Sequence, residues 1–551
     1  MRRDDAISLG EDENPGEGRG RGRGRRRGVM GGASTGSIPL LPFSVTGIIG
    51  LALFYFYYVF WIRPERMRSK LRSQGIDGPP PSLIHGNILE MRKILREERK
   101  KKAQEECGPS VTACYVSALF PYLTRWRRRY GPIFMYSTGS MQTLHVSHPD
   151  LVKEISVCKS LDLGKPLYLQ KDRGALLGKG ILTSNGALWA HQRKVIATEL
   201  FMDKVKGMVD LIVEAAIPLL KSWESAVDNG GGSSDIVVDE DLRKFSADVV
   251  SRTCFGSSFA EGKEIFSRLR QLQMLMSKIS IFIGIPGVRY LPMKSNRKIW
   301  RLTQEIRTLI LNIVKERRED ISTSSGQDLL QSIIEGSTIS NSGLDSAESF
   351  IVDNCKNIYF AGHETTAVTA TWCLMLLASH PEWQHRVREE VLEVCQGKFP
   401  NYDMLRRLKM LTMVIQETLR LYPPAAFMVR ETLRDMKLGD IHIPKGITIS
   451  TPIASLHHDP EYWGSDTDEF KPNRFSRGIA GACRSPHAYI PFGSGTRTCA
   501  GQNFAMVELK VILSLLVSKF VFSVSPSYRH SPAFRLTIEP EFGVPLIVKH
   551  L

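Results

Sequence analysis

The chain has 551 residues, of which 42% are hydrophobic, 24% charged and 9% aromatic, and its formal net charge is +16. This composition excludes a collagen-like, coiled-coil or wholly disordered chain and provides for a large buried core. The positive excess predicts an acidic partner, which is a nucleic acid, an anionic membrane surface or an acidic protein. Nine cysteines without a C-x-x-C pair exclude a disulfide scaffold, a zinc ribbon and thioredoxin-like redox chemistry.

A Gly/Arg-rich tail occupies residues 1–36 and is predicted to be disordered, because it has too few apolar residues to form a core. Its eight arginines and six acidic residues nearly cancel, so the excess charge lies elsewhere and nucleic-acid binding is the least favoured interpretation. A translation start at Met30 would remove the arginines. We state this start as a hypothesis, which N-terminal peptides from residues 1–29 in the native protein would contradict.

Residues 37–62 are predicted to form a single transmembrane anchor. Phe43 to Ile62 contains no charged residue, and 20 helical residues span about 30 Å, the thickness of a bilayer core. A signal peptide is disfavoured because no small-residue cleavage site follows. The basic residues from Arg63 to Arg72 favour a cytosolic C-terminal domain, whereas the six arginines between Arg19 and Arg27 favour the opposite orientation unless translation starts at Met30. Residues 63–81, which end in Gly78-Pro79-Pro80-Pro81, are interpreted as a basic and proline-rich hinge.

Residues 82–551 show no second linker and are predicted to form a single domain, mainly α with small β-sheets. Helical periodicity marks Asp203–Ala226, Trp300–Arg318 and Pro381–Gln396, and strand-like runs occur at Ile133–His145 and Ile441–Ser450. The Gly/Ser-rich stretches Asp228–Asp235 and Ser322–Ser346 are predicted to be surface loops.

A ten-residue motif, Phe492-Gly493-Ser494-Gly495-Thr496-Arg497-Thr498-Cys499-Ala500-Gly501, carries the strongest chemical signal. Its glycines permit a tight loop that brings the backbone close to a bound group. Arg497 suits a carboxylate. Cys499 precedes a helical stretch, Gln502 to Phe520, and a helix N-terminus favours thiolate over thiol. The pattern therefore predicts a metal-binding cysteine, against the alternative of a structural cysteine in a turn.

Three further motifs lie upstream in the chain. Ala361-Gly362-His363-Glu364-Thr365-Thr366 is predicted to interrupt a long helical run, about Ser349 to Ser379, where small residues and back-bonding hydroxyls open a local groove. Trp189 and Arg193 are four residues apart and share a helix face. Glu417 and Arg420 face the same side of another helix and taken alone indicate a solvated surface pair.

Together these motifs resemble the cytochromes P-450, the haem-thiolate monooxygenases. The resemblance implies the P-450 fold, with one haem domain behind one N-terminal transmembrane helix, and haem b as the cofactor. It implies that Cys499 is the axial iron ligand and that Glu364 and Thr365 deliver protons to dioxygen. Glu417, Arg420 and Arg474 are then a structural network behind the haem. The other residues implied to bind the cofactor are Arg497, Trp189, Arg193, Arg430, Phe492, Gly493, Gly495 and Gly501.

Several segments resemble a plant branch of this superfamily, the gibberellin-oxidising members of the seventy-two clan: Gly164-Lys165-Pro166, Ile181–Gly186, His191–Lys194 and Phe201–Met208. The implied substrate is a diterpenoid acid, a gibberellin oxidised at C-13 or across the 16,17 double bond. The implied pocket residues are Phe360, Ala361, Ala425, Ala426 and Phe427. Arg173 and Lys171 are the cations considered for the substrate carboxylate.

The resemblance also implies an NADPH-dependent flavoprotein reductase as the electron donor, since no flavin or nicotinamide fingerprint is present in the sequence. NADPH would therefore act only indirectly. The expected location is the endoplasmic reticulum membrane, with a single pass and a cytosolic catalytic domain. The alternatives are a monooxygenase of another plant terpenoid or hormone, an enzyme that rearranges hydroperoxides, and a non-catalytic haem sensor or carrier. The last two have no need of the Glu364–Thr365 pair.

Overall fold

The structure is a computed structural model that describes residues 40–104, 115–256, 259–278, 288–319, 328–339 and 346–551. The predicted tail and the hypothetical start at Met30 lie outside the described residues. The chain divides into two units, with the boundary between Tyr55 and Phe56.

The N-terminal apolar segment is helical, as the sequence predicts. Helix α1 (Leu40–Tyr57) is followed by a π-helical turn, Tyr58–Ile62, and by α2 (Arg63–Arg72). The π-helical turn lies directly before Pro64, whose missing N–H interrupts the regular hydrogen-bond ladder. Within the described residues, Thr46–Arg72 is the helix that is long and apolar enough to cross a membrane.

The remaining helices are distributed along the whole chain. Those of the N-terminal half are α3 (Ile88–Gln104), α4 (Val116–Leu119), α5 (Pro121–Tyr130), α6 (Pro149–Val157), α7 (Leu167–Lys171), α8 (Gly174–Leu177), α9 (Gly186–Glu199), α10 (Met202–Lys206), α11 (Val209–Asn229), α12 (Val238–Phe255) and α13 (Phe259–Lys278). Those of the C-terminal half are α14 (Lys294–Glu319), α15 (Leu329–Ile339), α16 (Ala347–Ser379), α17 (Pro381–Cys395), α18 (Tyr402–Arg407), α19 (Lys409–Leu421), α20 (Ile453–His457), α21 (Pro460–Trp463), α22 (Ile479–Ala482) and α23 (Gln502–Lys519).

Twelve short strands form four small sheets within the described residues. The strands are β1 (Ile133–Thr138), β2 (Met141–Val146), β3 (Leu163–Gly164), β4 (Ser233–Val237), β5 (Phe427–Thr432), β6 (Met436–Leu438), β7 (Ile441–Ile443), β8 (Thr448–Pro452), β9 (Phe520–Val524), β10 (Pro532–Phe534), β11 (Ile538–Pro540) and β12 (Pro545–His550). The largest sheet has the order β1-β2-β8-β5-β3, and a second has the order β4-β12-β9. Two hairpins, β6-β7 and β10-β11, stand apart, so the expected architecture of mainly helix with small sheets is confirmed.

Helix α16 runs through the centre of the main apolar core. It packs against α12 and α23, and α11 closes the bundle on the other side. Side chains are buried around its whole circumference, because it has neighbours on every side rather than a solvent face. Gly362 allows the closest approach, since a Cβ atom there would lie 3.0 Å from a methyl group of Val250 on α12.

Three sequence predictions differ from the structure. The helix predicted at Asp203–Ala226 is split into α10 and α11, which are separated by Gly207 and Met208. The loop predicted at Ser322–Ser346 contains helix α15, whose Leu329, Leu330, Ile333 and Ile334 are buried; the Gly/Ser content masked this apolar periodicity. The loop predicted at Asp228–Asp235 ends in strand β4, which pairs with β12.

Candidate active site

A cavity of about 340 Å³ lies between helix α16 and the loop that carries Cys499. Its walls come from α9, α12, α16, β5 and the start of α23, so distant parts of the chain converge on it. Most of the lining is apolar, as in Ile181, Leu182, Phe427 and Phe504. Such a space suits a largely apolar molecule held by a few polar groups.

The loop that carries Cys499 is fixed by its own backbone. The Cys499 N–H donates to the Phe492 carbonyl at 2.9 Å, and the Thr498 N–H donates to the Gly495 carbonyl at 3.1 Å. Gly493 has φ 72° and Gly495 has φ 73°, a region that favours glycine. Gly495 also abuts α6, since a Cβ atom there would lie 2.5 Å from the Ser156 carbonyl oxygen.

Cys499 lies on the cavity wall, three residues before α23 begins at Gln502. Burial raises the pKa of its thiol, while the Gly501 N–H and the Arg193 guanidinium lower it; burial dominates. Coordination to a metal ion would supply the missing stabilisation of the anion.

Four cationic side chains line the cavity: Lys165, Arg193, Arg430 and Arg497. None of them forms an ion pair with a carboxylate among the residues that the structure describes. Burial, Arg430 and Arg193 lower the pKa of Arg497 to about 10, and burial lowers that of Arg430 to about 10. Burial and the two arginines hold the pKa of Lys165 well below its usual value. A bound anion would stabilise the charged forms of these side chains.

Neighbouring groups hold these cations in place without neutralising them. The Arg193 Nη1 donates to the Thr498 carbonyl at 2.6 Å, and the Arg430 Nη2 donates to the Ser494 carbonyl at 3.3 Å. The guanidinium carbon of Arg497 lies 4.2 Å from the centre of the Trp189 ring, a cation–π contact. The cluster is thus bound to the cysteine loop and to α9.

Thr365 and Glu364 face different surroundings on α16. Thr365 lines the cavity, and its hydroxyl donates to the Ala361 carbonyl at 2.7 Å, so the expected back-bonding is present. The predicted interruption of the helix is wrong, because α16 continues through these residues with its own hydrogen-bond ladder. Glu364 is fully buried on another face of the helix. Its Oε1 accepts from Arg270 Nη1 at 2.9 Å and from Arg243 Nη2 at 3.4 Å. Burial raises the pKa of Glu364, but these guanidiniums outweigh it and lower the pKa to about 2.

Glu417 and Arg420 are both fully buried, so they are not the solvated pair that their spacing alone indicates. Arg420 donates to both oxygens of Glu417 at 2.8 Å, and also to the carbonyls of His457, Thr467 and Glu469. Arg474 lies 3.4 Å from Glu417. The bidentate pair is compensated by further hydrogen bonds, as a buried ion pair requires.

His457 joins this network to the cysteine loop, and the sequence analysis missed it. Its Nε2 accepts from the Ile490 N–H at 3.0 Å, so Nδ1 carries the proton and donates to the Arg420 carbonyl at 3.2 Å. Burial, His458 and Arg420 lower the pKa of His457 to about 3, which keeps the ring neutral. A buried histidine of this kind has no sequence signature, since its partners come from two distant segments.

The structure brings most of the singled-out residues to one cavity. Those that line it are Cys499, Arg497, Trp189, Arg193, Arg430, Phe492, Gly493, Gly501, Thr365, Ala361, Ala425 and Phe427. Gly495, Phe360, Ala426 and Glu364 are not part of the lining. Arg173 is buried elsewhere and donates to the Met276 carbonyl at 2.5 Å, and Lys171 lines a separate pocket. Lys165 is the additional cation that the sequence analysis did not single out.

Comparison with known proteins identifies the family. The cytochrome P450 family model matches residues 114–542. The chain is 63% identical to cytochrome P450 714C2 of Oryza sativa subsp. japonica over 507 residues, which cover 92% of this chain and 97% of that protein. It is 51% identical to cytochrome P450 714B3 of Zea mays over 92% of this chain and 95% of that protein. It is 47% identical to cytochrome P450 714A2 of Arabidopsis thaliana over 87% of this chain and 92% of that protein.

The chain therefore belongs to the cytochrome P450 family, and it is a haem-dependent monooxygenase with plant relatives. The family uses haem b and receives electrons from a reductase partner. The lining fits this cofactor, because its four cations could pair with the two carboxylates of haem b and the Cys499 sulfur could bind its iron. Because membership of this family shows a monooxygenase, the alternative of a non-catalytic haem sensor or carrier is rejected.

Proposed function

We propose that the enzyme inserts one oxygen atom from O2 into a diterpenoid acid, a gibberellin, by 13-hydroxylation or 16,17-epoxidation. The observation that carries the proposal is the apolar cavity that joins Cys499 to Thr365 and has the small side chains Ala361 and Ala425 in its wall. Small residues leave room for a rigid polycyclic substrate. The sequence segments from Gly164 to Met208 that resemble the gibberellin-oxidising branch support the substrate class.

The residues of the cavity divide between the cofactor and the reaction. We assign Cys499 as the axial iron ligand, and Arg193, Arg430, Arg497 and Lys165 as partners of the haem carboxylates. Trp189 orients Arg497 by stacking on it. When bound, haem supplies the activation of dioxygen and the transfer of one oxygen atom to the substrate. The chain itself positions the substrate, excludes bulk water and controls where protons enter.

Proton delivery is assigned to Glu364 and Thr365. Glu364 is held near the charged side chains of α12 and α13, and Thr365 presents its hydroxyl to the cavity. A proton that Glu364 takes up can pass to the neighbouring Thr365 and from there to the reacting oxygen, directly or through one water molecule. Glu417, Arg420 and Arg474 are assigned to structure, because they lie outside the cavity lining and are held by one another.

The partner and the location follow from the same proposal. We assign an NADPH-dependent flavoprotein reductase as the electron donor and the endoplasmic reticulum membrane as the site, with the catalytic domain in the cytosol. The apolar helix Thr46–Arg72 and the basic residues from Arg63 onwards support a single pass with this orientation. The division into a tail (1–36), an anchor (37–62), a hinge (63–81) and a haem domain (82–551) belongs to this proposal.

The experiment is turnover in reconstituted microsomes that contain the protein, a plant flavoprotein reductase and NADPH. Gibberellin precursors and their methyl esters are supplied, and products are identified by mass spectrometry. We expect an acid carrying one added oxygen atom, absent from microsomes with Cys499→Ser. A panel of other plant terpenoids runs in parallel. Turnover of one of those, with no gibberellin consumed, would contradict the substrate class and favour the alternative hormone or terpenoid.

A further inference from the structure

A second buried carboxylate, Glu539 on β11, shares the arginines of Glu364. Glu539 is fully buried, and it accepts hydrogen bonds from Arg243 Nη2 at 2.9 Å and from Arg270 Nη1 at 2.8 Å. These are the two nitrogens that also approach Glu364 Oε1. The two carboxylates thus face the same pair of guanidiniums from different elements of the fold.

The arginines hold the two carboxylates unequally. Arg270 binds Glu539 with both terminal nitrogens, at 2.8 and 3.0 Å, but reaches Glu364 with Nη1 alone at 2.9 Å. Arg243 lies 2.9 Å from Glu539 and 3.4 Å from Glu364. Bidentate contact is the stronger form of this interaction. Glu364 Oε2 is buried and has no hydrogen-bond partner among the described residues. Glu364 Oε1 is therefore held by the two guanidiniums, whereas Oε2 receives no hydrogen bond from a donor among the described residues.

The hairpin that carries Glu539 is fixed in place. Trp372 Nε1 on α16 donates to the Ile538 carbonyl at 3.0 Å, and Gln273 Nε2 on α13 donates to the Arg535 carbonyl at 3.0 Å. Arg535 itself lies 3.1 Å from Glu539. The titratable and charged groups around Glu364 are Arg243 and Asp239 from α12, Arg270 from α13, Glu539 and Arg535 from the hairpin, and His363 beside it. The charges of the three arginines and the three ionised carboxylates therefore cancel.

We propose that Glu539 is a positioning residue for proton delivery, which keeps Arg243 and Arg270 neutralised while Glu364 carries a proton. A proton from solvent adds to Glu364 Oε2, and the charge of Glu364 changes from −1 to zero. Glu539 stays ionised against both guanidiniums during this step. The proton then leaves Glu364 toward Thr365, and Glu364 returns to its ionised state. Without Glu539, protonation of Glu364 would leave the largely buried guanidiniums of Arg243 and Arg270 with Asp239 as their carboxylate partner among the described residues.

Two substitutions should shift proton delivery in opposite directions. Glu539→Gln removes a negative charge, so Glu364 takes up a proton less readily. We expect product formed per NADPH to fall on the order of 5-fold at neutral pH, with partial recovery at lower pH and a larger solvent deuterium isotope effect. Arg535→Met removes a positive charge from a half-exposed position, so coupling should persist to higher pH than in the wild type.

The experiment measures product, NADPH consumption and peroxide against pH in the reconstituted holoenzyme. The matched control is Glu541→Gln, which removes an exposed carboxylate from the same segment and should leave the pH profile unchanged. Glu539→Asp should partly restore coupling. An independent readout is a double-mutant cycle of unfolding free energy for Glu364→Gln and Glu539→Gln. Because both carboxylates bind the same arginines, the double variant should lose more free energy of unfolding than the two single variants lose together.

The inference rests on the role proposed for Glu364, and the outcomes separate the two. If Glu364→Gln leaves coupling unchanged, the role of Glu364 is wrong, and with it this inference. If Glu364→Gln uncouples but Glu539→Gln keeps the wild-type pH profile and isotope effect, only the inference about Glu539 is overturned. If Glu539→Gln does not fold, Arg535→Met decides: an unshifted pH profile in that variant overturns the inference.

Discussion

Lys165 illustrates how one side chain depends on its bound partner. Burial and two neighbouring arginines disfavour its charged form, yet the residue lies at a cavity that is suited to a group with two carboxylates. A charge-assisted hydrogen bond to a haem carboxylate would reverse that penalty. The same reasoning applies to Arg430 and Arg497, whose pKa values are lowered mainly by burial.

Removing the charge of Lys165 should weaken haem retention. We expect Lys165→Met to release haem roughly tenfold faster to an acceptor globin, because one charge-assisted hydrogen bond is lost. Lys165→Arg should retain haem. The matched control is Lys171→Met, since Lys171 belongs to the same segment but is exposed and lines a different pocket. Equal release rates for Lys165→Met and wild type would contradict the assignment.

The Thr365 hydroxyl can be tested against a neighbour with the same local bonding. Thr365 and Thr371 both donate to the carbonyl four residues earlier, at 2.7 and 2.9 Å, but only Thr365 of the two lines the cavity. Thr365→Ala should keep consuming NADPH while peroxide replaces product. Thr371→Ala should remain coupled. Stoichiometry of NADPH, peroxide and product provides the measurement, and unchanged coupling in Thr365→Ala would count against its role.

At this scale the sequence predicted residues that belong to contiguous motifs. Cys499, Arg497, Trp189 and Arg193 could be found because their spacing is local. Glu539 and its partner Arg270 could not, since they lie on separate elements that meet Glu364 only in the folded chain. The helix N-terminus beside Cys499 could be found from the sequence, whereas the burial that raises the pKa of its thiol depends on how the folded chain surrounds it.

At the scale of elements, a series of buried hydrogen bonds connects α19 to the cysteine loop. Arg420 on α19 donates hydrogen bonds to carbonyls in the segment from His457 to Glu469. His457 in turn accepts a hydrogen bond from the Ile490 N–H, close to the start of the cysteine loop. The position of Cys499 therefore depends on an ion pair that never touches the cavity. The sequence predicted the helices that carry these residues, but Gly/Ser richness hid the apolar face of α15.

Arg420→Lys should disrupt the hydrogen bonds that connect α19 to the cysteine loop. Lysine has three donors and cannot replace the planar fork that binds both Glu417 oxygens and three carbonyls. We expect a loss of about 3–5 kcal/mol in the free energy of unfolding, together with loss of haem. The matched surface change is Arg125→Lys, whose exposed pair with Glu97 spans 3.1 Å and should contribute less than about 1 kcal/mol. Similar denaturation midpoints for the two variants would refute the expected contrast.

For the whole molecule, buried titratable groups set the pH range of stability. Burial is the main reason that the pKa values of His145 and His457 fall to about 3 and that of His363 to about 4. The unfolded chain protonates these histidines near pH 6.5, so stability is complete above that pH and is lost as pH falls below it. Glu508 acts in the opposite sense. Burial raises its pKa to about 8, so stability declines as pH rises from about 4.5 towards 8.

The free energy of unfolding should therefore be greatest near pH 6.5 and fall on both sides. Between pH 7 and pH 5, each of the three histidines should lower the free energy of unfolding by about 2 kcal/mol. Glu508 should raise it by about the contribution of one histidine. Urea unfolding of the haem-loaded protein across pH 5–8 measures this curve. His145→Phe should flatten the acid side and Glu508→Gln the alkaline side. A curve that rises steadily to pH 8 would exclude the contribution of Glu508.

The most direct test of the account is the bond between Cys499 and the haem iron. The purified protein is reduced, exposed to carbon monoxide and examined by difference spectroscopy, beside Cys499→His. We predict the long-wavelength Soret maximum of thiolate-ligated ferrous iron in the wild type, and its absence in the variant even when haem remains bound. An intact, haem-loaded wild type without that maximum, or a Cys499→His variant that still shows it, would contradict the central claim.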